Sequence, residues 1–390
     1  MPTSATIKKR IAVLPKHISG TRPKRPRVNG KRRQTFKAQA RELPQTPGVY
    51  FFHGPGERLL YVGKAKCLRE RVRSYFADTT LPRPVKLRRL LSEMTSFTWQ
   101  ACGSELEALL TERRLIAQLR PEVNYQLKRF DFYPYLHVTD EEFPRLTFTR
   151  EAPETPIPAG YFLGPFTTAK AVNSALEAVR GVFLLRTCEG NLKPDPLGKA
   201  CFYHDIQRCA APCIGAVNRE EYAAHCAQLV QALETGSAPQ LEKIRERMLR
   251  HAAEWRFEDA QELKEQLDAI AAASAKLRRL QRMRRENNVV IAQPSAVPGT
   301  VALFFVQGGL LRQLLPEVTP RHCQRVRKSL AEIYTTPPPA RPFTAKQELD
   351  EMLLLDRWLR SHGREECCVW MNDVAVEAAV KLLRGRPSAG

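Results

Sequence analysis

The residues whose types and spacing could do chemistry fall into two groups. The first is Tyr50, Tyr61, Lys64, Arg71 and Glu112. A phenol can orient or exchange a proton, although at its ordinary pKa of about 10 it is a poor base at neutral pH unless a cation such as Lys64 assists it. A guanidinium fork such as that of Arg71 fits phosphoryl oxygens. Glu112 falls inside an apolar arc made by Leu109, Ile116 and Leu119, where an unpaired carboxylate is costly. Two readings are open: a salt bridge to Arg71 or Arg114, or a ligand for a divalent cation, which is commonly held by one or two carboxylates plus water and phosphate. The second group is Cys188, Cys201, Cys209 and Cys213, separated by twelve, seven and three residues. Four cysteines within 26 positions suggest a tetrathiolate site. The paired C-x₂-C of common zinc sites is missing, so zinc and iron–sulfur stay open, beside four unliganded buried thiols. Cys226, Cys323, Cys367 and Cys368 lack such company and read as packing residues.

Short elements must position the first group. Val49–Phe52 and Leu59–Val62 are β-rich runs joined by the turn His53-Gly54-Pro55-Gly56, so they read as a hairpin. Gly63 breaks the second strand. A basic helix follows, with Leu68, Val72 and Tyr75 on one face and Arg71 at its border. A second short helix is predicted over Leu81–Leu91 and a strand at Phe97-Thr98-Trp99. Ser104 offers an N-cap for a helix to about Leu119, ended by Pro121. Two tyrosines, a lysine and an arginine are thereby brought to one end of a small sheet.

The totals set limits. A chain of 390 residues with 43% hydrophobic content has room for two to four domains with real cores. No apolar run approaches the length of a membrane span and the N-terminus has no h-region, so the chain reads as soluble and cytoplasmic. Net charge is +21, of which residues 1–41 hold +13 with no acidic residue. That stretch reads as a disordered basic arm whose natural partner is a polyanion, or as a solvated tail. Ten cysteines in a reducing compartment argue for free thiols or a metal site over disulfides.

Gly48-Val49-Tyr50 and Tyr61-Val62-Gly63, followed by the basic helix, resemble the two signature triplets of the GIY-YIG nuclease module. Beyond it, Phe132-Tyr133-Pro134-Tyr135-Leu136, Glu142-Phe143-Pro144-Arg145-Leu146 and Tyr161-Phe162-Leu163-Gly164-Pro165-Phe166 are similar to the UvrC excinuclease family. The content most resembles its short member Cho, although Cho is shorter. The resemblance, over roughly residues 43–270, implies a DNA endonuclease of nucleotide excision repair that cuts on one side of a lesion. Within it Tyr61 would be the general base or would orient the water, and Arg71 would neutralise charge on the phosphoryl oxygens. Glu112 would hold one Mg²⁺ or Mn²⁺, with Lys64, Tyr50, Tyr75 and Asn124 in support. It also implies an iron–sulfur cluster on Cys188, Cys201, Cys209 and Cys213.

Further along, Tyr135–Val138 and Arg145–Thr149 read as strands and Thr168–Val182 as an amphipathic helix. Leu241, Ile244, Met248 and Ala252 form one stripe and Ala260, Leu263, Leu267 and Ile270 another, a helical hairpin with Arg256-Phe257-Glu258 at its turn. It looks like the UVR motif, which implies docking to UvrB, with UvrA indirectly and damaged double-stranded DNA as the other partners. An ordinary helix pair folded on its own domain is the other reading. Lys276–Arg285, basic and helical, is a linker or a phosphate contact. Val289–Ile291, Val301–Val306 and Leu310–Leu315 form a small antiparallel sheet with Gly308-Gly309 as a turn. Pro337-Pro338-Pro339 marks a linker, Thr344 and Gln347 cap a helix Glu348–Ser361, and Cys368–Met371 is a last strand. The family's second, RNase H-like nuclease has no room here. The expectation is a multidomain α+β chain: basic arm 1–42, GIY-YIG mixed α/β nuclease domain 43–128, Cys-rich middle region 129–235, UVR-like hairpin 236–275, and linker with a small antiparallel β region 276–390. A stand-alone GIY-YIG endonuclease without a repair role, or a non-catalytic DNA-binding adaptor, are the alternatives.

Overall fold

The protein, a computed structural model, is described over residues 30–77, 84–127, 133–149, 160–190, 192–336 and 346–371. The chain opens with α1 (Gly30–Gln39), inside the stretch expected to be a disordered arm. This corrects the boundary of that arm, whose residues 1–29 lie outside the described residues. The cause is Phe36, buried with Ala40 and Leu43 in the same core as Tyr50 and Phe52. Its ring sits 5.5 Å from Phe76 and 6.1 Å from Phe97, a burial that contributes about 1.5–3 kcal/mol.

Three antiparallel strands follow in the order β2–β1–β3: β1 (Gly48–His53), β2 (Leu59–Ala65) and β3 (Ser96–Ala101). Between β2 and β3 run α2 (Leu68–Tyr75) and α3 (Val85–Glu93). The β1–β2 register pairs Tyr50 with Gly63 and Phe52 with Tyr61, then slips between Phe52 and His53. Helix α4 (Glu105–Leu119) is capped as predicted: Ser104 Oγ accepts the Glu107 N–H at 3.1 Å. Its buried face is not the expected Leu109/Ile116/Leu119 arc. Leu106, Ala108 and Leu110 are buried instead, because α4 is packed on two sides, against the nuclease sheet and against the C-terminal sheet.

The middle region holds a second sheet, β5–β4–β6, from β4 (Tyr135–Thr139), β5 (Leu146–Thr149) and β6 (Gly160–Leu163). Helices α5 (Ala169–Phe183), the one-turn α6 (Phe202–Asp205) and α7 (Arg219–Thr235) follow. Then come α8 (Pro239–Ala253) and α9 (Phe257–Glu286), the expected hairpin. Leu241, Ile244, Leu263 and Ile270 join a core with Val179 and Leu233 of α5 and α7, so one flank of the hairpin is folded onto the middle region. Helix α9 runs unbroken through Lys276–Arg285, which is helical as expected and therefore not a linker. Ala273, Leu277, Leu280 and Met283 continue its buried stripe beneath the basic residues.

The C-terminal unit is a four-stranded sheet in the order β10–β7–β8–β9, from β7 (Val289–Pro294), β8 (Val301–Gln307), β9 (Leu310–Val318) and β10 (Cys368–Trp370). Gly308 and Gly309 have φ of +62° and +75°, the backbone of a tight I′-like turn. Helix α10 (Cys323–Tyr334) covers one face, and α11 (Lys346–His362) with Leu106 and Leu110 of α4 the other. The expected Pro337–Pro339 linker and Thr344 cap lie outside the described residues. Among the described residues no helix is long and apolar enough to cross a membrane.

Candidate active site

Helix α2 and the edge of β2 enclose a cleft of about 560 Å³ lined by Tyr50, Tyr61, Lys64, Arg71 and Glu112, with Lys66, Cys67, Glu70 and Ser74 at its rim. The spacing of Leu68, Val72 and Tyr75 explains the wall. Four and then three residues apart, they bury one face of α2 and leave Arg71 exposed beside it. Tyr50 and Tyr75 share a hydrogen bond of 2.7 Å between their hydroxyls. Arg71 Nε donates to the Tyr50 hydroxyl at 3.4 Å, and its guanidinium lies 5.2 Å from the Tyr75 ring centroid. The fork is thus stacked and tethered on its back, with the cleft in front.

Burial raises the Tyr50 phenol above its ordinary value, with Tyr75 and Tyr61 adding to the effect. Tyr61 is raised too, first by burial and then by Tyr75 and Glu112. The raised phenol favours the second of the two roles weighed for Tyr61, a protonated hydroxyl that orients a water, over the general base. Lys64 Nζ turns instead to Glu105 Oε1 at 3.3 Å, while Lys66 Nζ pairs with Glu105 Oε2 at 2.9 Å.

Glu112 lies across the cleft on α4. Its Oε1 accepts the Lys64 backbone N–H at 2.8 Å, and among the described residues no hydrogen bond engages Oε2. Burial raises this carboxyl above the ordinary glutamate value; the Lys64 N–H and the charges of Lys64, Arg71 and Arg113 oppose it. Of the salt-bridge partners weighed from sequence, Arg114 pairs with Glu351 instead. Glu105, which sequence reasoning missed, follows from the same helix: seven residues before Glu112, it lies two turns away on the same side. Asn124 stands outside the cleft lining. Its Oδ1 accepts the Val62 N–H and its Nδ2 donates to the Val62 carbonyl, both at 2.9 Å, so it clamps β2 beside Gly63.

Gly63 is required by close approach. A Cβ there would sit 2.4 Å from the Tyr50 hydroxyl and Cζ and 2.8 Å from Tyr61. Gly63→Ala is expected to cost about 1–3 kcal/mol, as overpacking does, read from denaturant unfolding. An unchanged midpoint would show that the tyrosine rings have room to move.

The cysteine group is less complete. Arg186, only 2% exposed, donates to the Cys188 carbonyl at 3.1 Å and pairs with Glu141, which fixes the start of the loop. Cys209 is buried and accepts the Ala211 N–H at 3.4 Å. Burial raises its thiol, and Cys201, Cys188 and Cys213 each add to that, so each of the three lies within electrostatic reach of Cys209. Among the described residues, however, no set of three or more Cys, His, Asp or Glu is arranged to hold a metal ion. Cys226 is a packing residue in the middle core, as expected.

Residues 46–125 match the UvrC-like GIY-YIG domain. Residues 133–232 match the UvrC/Cho excinuclease middle domain. Among curated proteins the chain is similar to the UvrABC system protein C of Thermoanaerobacter sp. (strain X514). The two are 34% identical over 338 residues, which is 83% of this chain and 54% of that protein. The same protein of Caldanaerobacter subterraneus subsp. tengcongensis is 36% identical over 272 residues, 69% of this chain and 43% of the relative. The chain thus spans about half the length of the curated relatives it matches. Among solved structures it is similar to the GIY-YIG N-terminal endonuclease domain of UvrC from Thermotoga maritima, crystallised with magnesium as its catalytic divalent cation. Identity is 33%, over 23% of this chain and 97% of that one, with a TM-score of 0.21.

Proposed function

The chain is UvrC/Cho-like, carrying the UvrC-like GIY-YIG domain and the UvrC/Cho excinuclease middle domain in that order, and from that premise we propose that it is a DNA endonuclease of nucleotide excision repair. It would make a metal-dependent single-strand incision beside a lesion held in a UvrB–DNA complex. The observation that carries this is the convergence of Tyr50, Tyr61, Arg71, Lys64 and Glu112 on one open cleft, with Tyr75 behind it bonded to the Tyr50 hydroxyl.

Hydrolysis of a phosphodiester needs an oriented water, stabilisation of charge on the phosphoryl oxygens and help for the departing oxygen. Tyr61 orients the water, and the tethered Arg71 fork meets the phosphoryl oxygens without first having to order itself. Tyr50 and Tyr75 hold that fork in place. Lys64, paired through Glu105, adds positive charge at the cleft wall. The carboxylate of Glu112 and the open front of the cleft fit a single hard cation, Mg²⁺ or Mn²⁺, which Glu112 would hold and which would supply Lewis-acid stabilisation of the developing charge. For Cys188, Cys201, Cys209 and Cys213 the four thiols are the donor chemistry of an iron–sulfur cluster, with zinc as the competitor. Iron and acid-labile sulfide analysis of anaerobically purified protein separates the two.

The hairpin α8–α9 presents Leu249, Trp255 and Phe257 at its free end, 59%, 81% and 60% exposed, with the two aromatic rings edge-on at 5.8 Å. An exposed apolar tip on an otherwise packed hairpin supports its use as the contact for UvrB.

The test is incision of a duplex carrying one bulky adduct, with Mg²⁺, with and without UvrA and UvrB loaded, the damaged strand labelled at each end in turn. The expected result is one cut beside the adduct that depends on UvrB. Equal cutting without UvrB would favour a stand-alone endonuclease, and binding with no cut in any lane would favour an adaptor.

A further inference from the structure

The C-terminal unit touches the helix that carries Glu112 over about its first three turns. At the N-terminal end, a Cβ on Gly103 would lie 2.3–2.5 Å from the backbone of Pro294, Ser295 and Ala296, so only glycine lets β7 approach so closely. In the middle, Leu106 and Leu110 sit in one core with Val289, Ile291, Phe304 and Leu355. Beyond them, the two residues that follow Glu112 reach α11: Arg113 pairs with Asp350, and Arg114 Nε lies 3.8 Å from Glu351 Oε2. These contacts are built in. The Asp350 side chain is 12% exposed and also accepts Tyr133 O–H at 2.6 Å and Lys346 Nζ at 2.7 Å. Glu351 Oε1 accepts the Leu311 N–H of β9 at 2.9 Å, which ties the same turn of α11 to the sheet. Burial pushes the Lys346 ammonium down to about 8, and the Arg113 charge adds to that.

Leu106, Leu110 and Arg113, at i, i+4 and i+7, form one stripe of α4. Glu105 and Glu112 lie about 100° round the axis from it. The rotation of α4 about its own axis is therefore set from one side by the C-terminal unit and read on the other by the cleft. We propose that the C-terminal β/α unit is an intramolecular brace for the nuclease: the Arg113–Asp350 and Arg114–Glu351 pairs lock the rotational setting of α4 and thereby position the Glu112 carboxylate. Arg113 and Arg114 are positioning residues in this scheme, acting through Glu112. The size of the effect follows from geometry, since a misplacement of about 1 Å at a reacting group can cost roughly 10²-fold in rate, and loss of a residue that orients a metal ligand typically costs about 10–100-fold in metal affinity. The proposal rests on the metal-holding role given above to Glu112.

The test uses the full-length chain with Arg113→Met, Asp350→Asn and the double variant. Three quantities are read: Mn²⁺ affinity by titration calorimetry, amide exchange of the segments carrying Lys64 and α4, and thermal midpoint. Each single variant is expected to weaken Mn²⁺ binding about tenfold or more and to speed exchange at the Lys64 amide, whose N–H is held by Glu112. The double variant should be no worse than the poorer single. Where Asp350→Asn does not fold, Arg114→Met, at a side chain 44% exposed, reads the same joint with a smaller effect in the same direction. Variants that lower the midpoint but leave Mn²⁺ affinity and Lys64 exchange at the wild-type values would overturn the brace and leave a plain domain contact. Failure of the metal reading looks different: the wild type would not bind Mn²⁺, or Glu112→Gln would bind it equally well, and the exchange rates would still decide the brace.

Discussion

Arg71→Ala should lower the single-turnover incision rate by about 10²–10³, the usual cost of removing one preorganised group that meets developing charge. Stability should hardly move. The side chain is exposed, and what it gives the fold is one long hydrogen bond to Tyr50 and its stacking on Tyr75, worth about 0.5–1 kcal/mol at such a site. Arg71→Lys should restore only part of the rate, because an ammonium keeps the charge but loses the planar fork that both stacks and meets two oxygens at once. The measurement is cleavage with enzyme in excess over DNA, with DNA affinity and the unfolding midpoint taken on the same preparations. A wild-type rate in Arg71→Ala would remove this residue from the mechanism, and a loss of rate that tracks a loss of folding would reduce it to a structural part.

Glu112→Gln should separate the two states of the cleft. The amide oxygen can still accept the Lys64 N–H, so the backbone contact survives while the charge that would hold a cation is gone. Metal-dependent incision should fall by about 10²-fold or more, as expected for the loss of several kcal/mol of charge stabilisation. In the absence of metal the same substitution should stabilise the protein near neutral pH. Burial raises the Glu112 carboxyl above its value in the unfolded chain. Its contribution to stability is therefore fully present below the ordinary glutamate pKa and is lost as pH rises through the folded value. Glu107, also raised by burial, titrates in both proteins and cancels in the comparison. Thermal midpoints against pH, in EDTA and then with Mg²⁺, check both halves. Wild type should gain midpoint on adding Mg²⁺ and Glu112→Gln should not. Equal gains in the two would take the metal away from this carboxylate.

The part of the site built by neighbours in sequence was legible in the sequence. The two Gly/Tyr triplets, the α2 stripe and the Ser104 cap are local patterns, and strand and helix limits fell within a few residues of those observed. What escaped was set by long-range contacts. Phe36 is helical and buried because Phe76 and Phe97 wait for it, which a basic neighbourhood conceals. The buried stripe of α9 beneath Lys276–Arg285 was hidden in the same way, by charge on its outer face. The face of α4 was misjudged because one periodicity was sought where two partners each take a side, and the second partner, α11, lies more than 230 residues downstream. The assistance that Tyr61 would need as a base was not found for a related reason: Lys64 is near in sequence, but its ammonium is engaged by Glu105, and burial raises the phenol.

The register slip between Phe52 and His53 divides the β1–β2 hairpin into a part whose length is fixed and a part whose length is free. On the inner side, Tyr50 and Gly63 face each other across the ladder in van der Waals contact. Removing one residue between the slip and Gly63 would turn Tyr61 to the opposite face of the sheet. On the outer side, Pro55–Arg58 are exposed and Gly56 has open space around it. Length added there is absorbed beyond the slip and never reaches the tyrosines. The same hairpin that seats the chemistry thus offers, at its tip, a place to insert an epitope or a reporter while the cleft is left as it is.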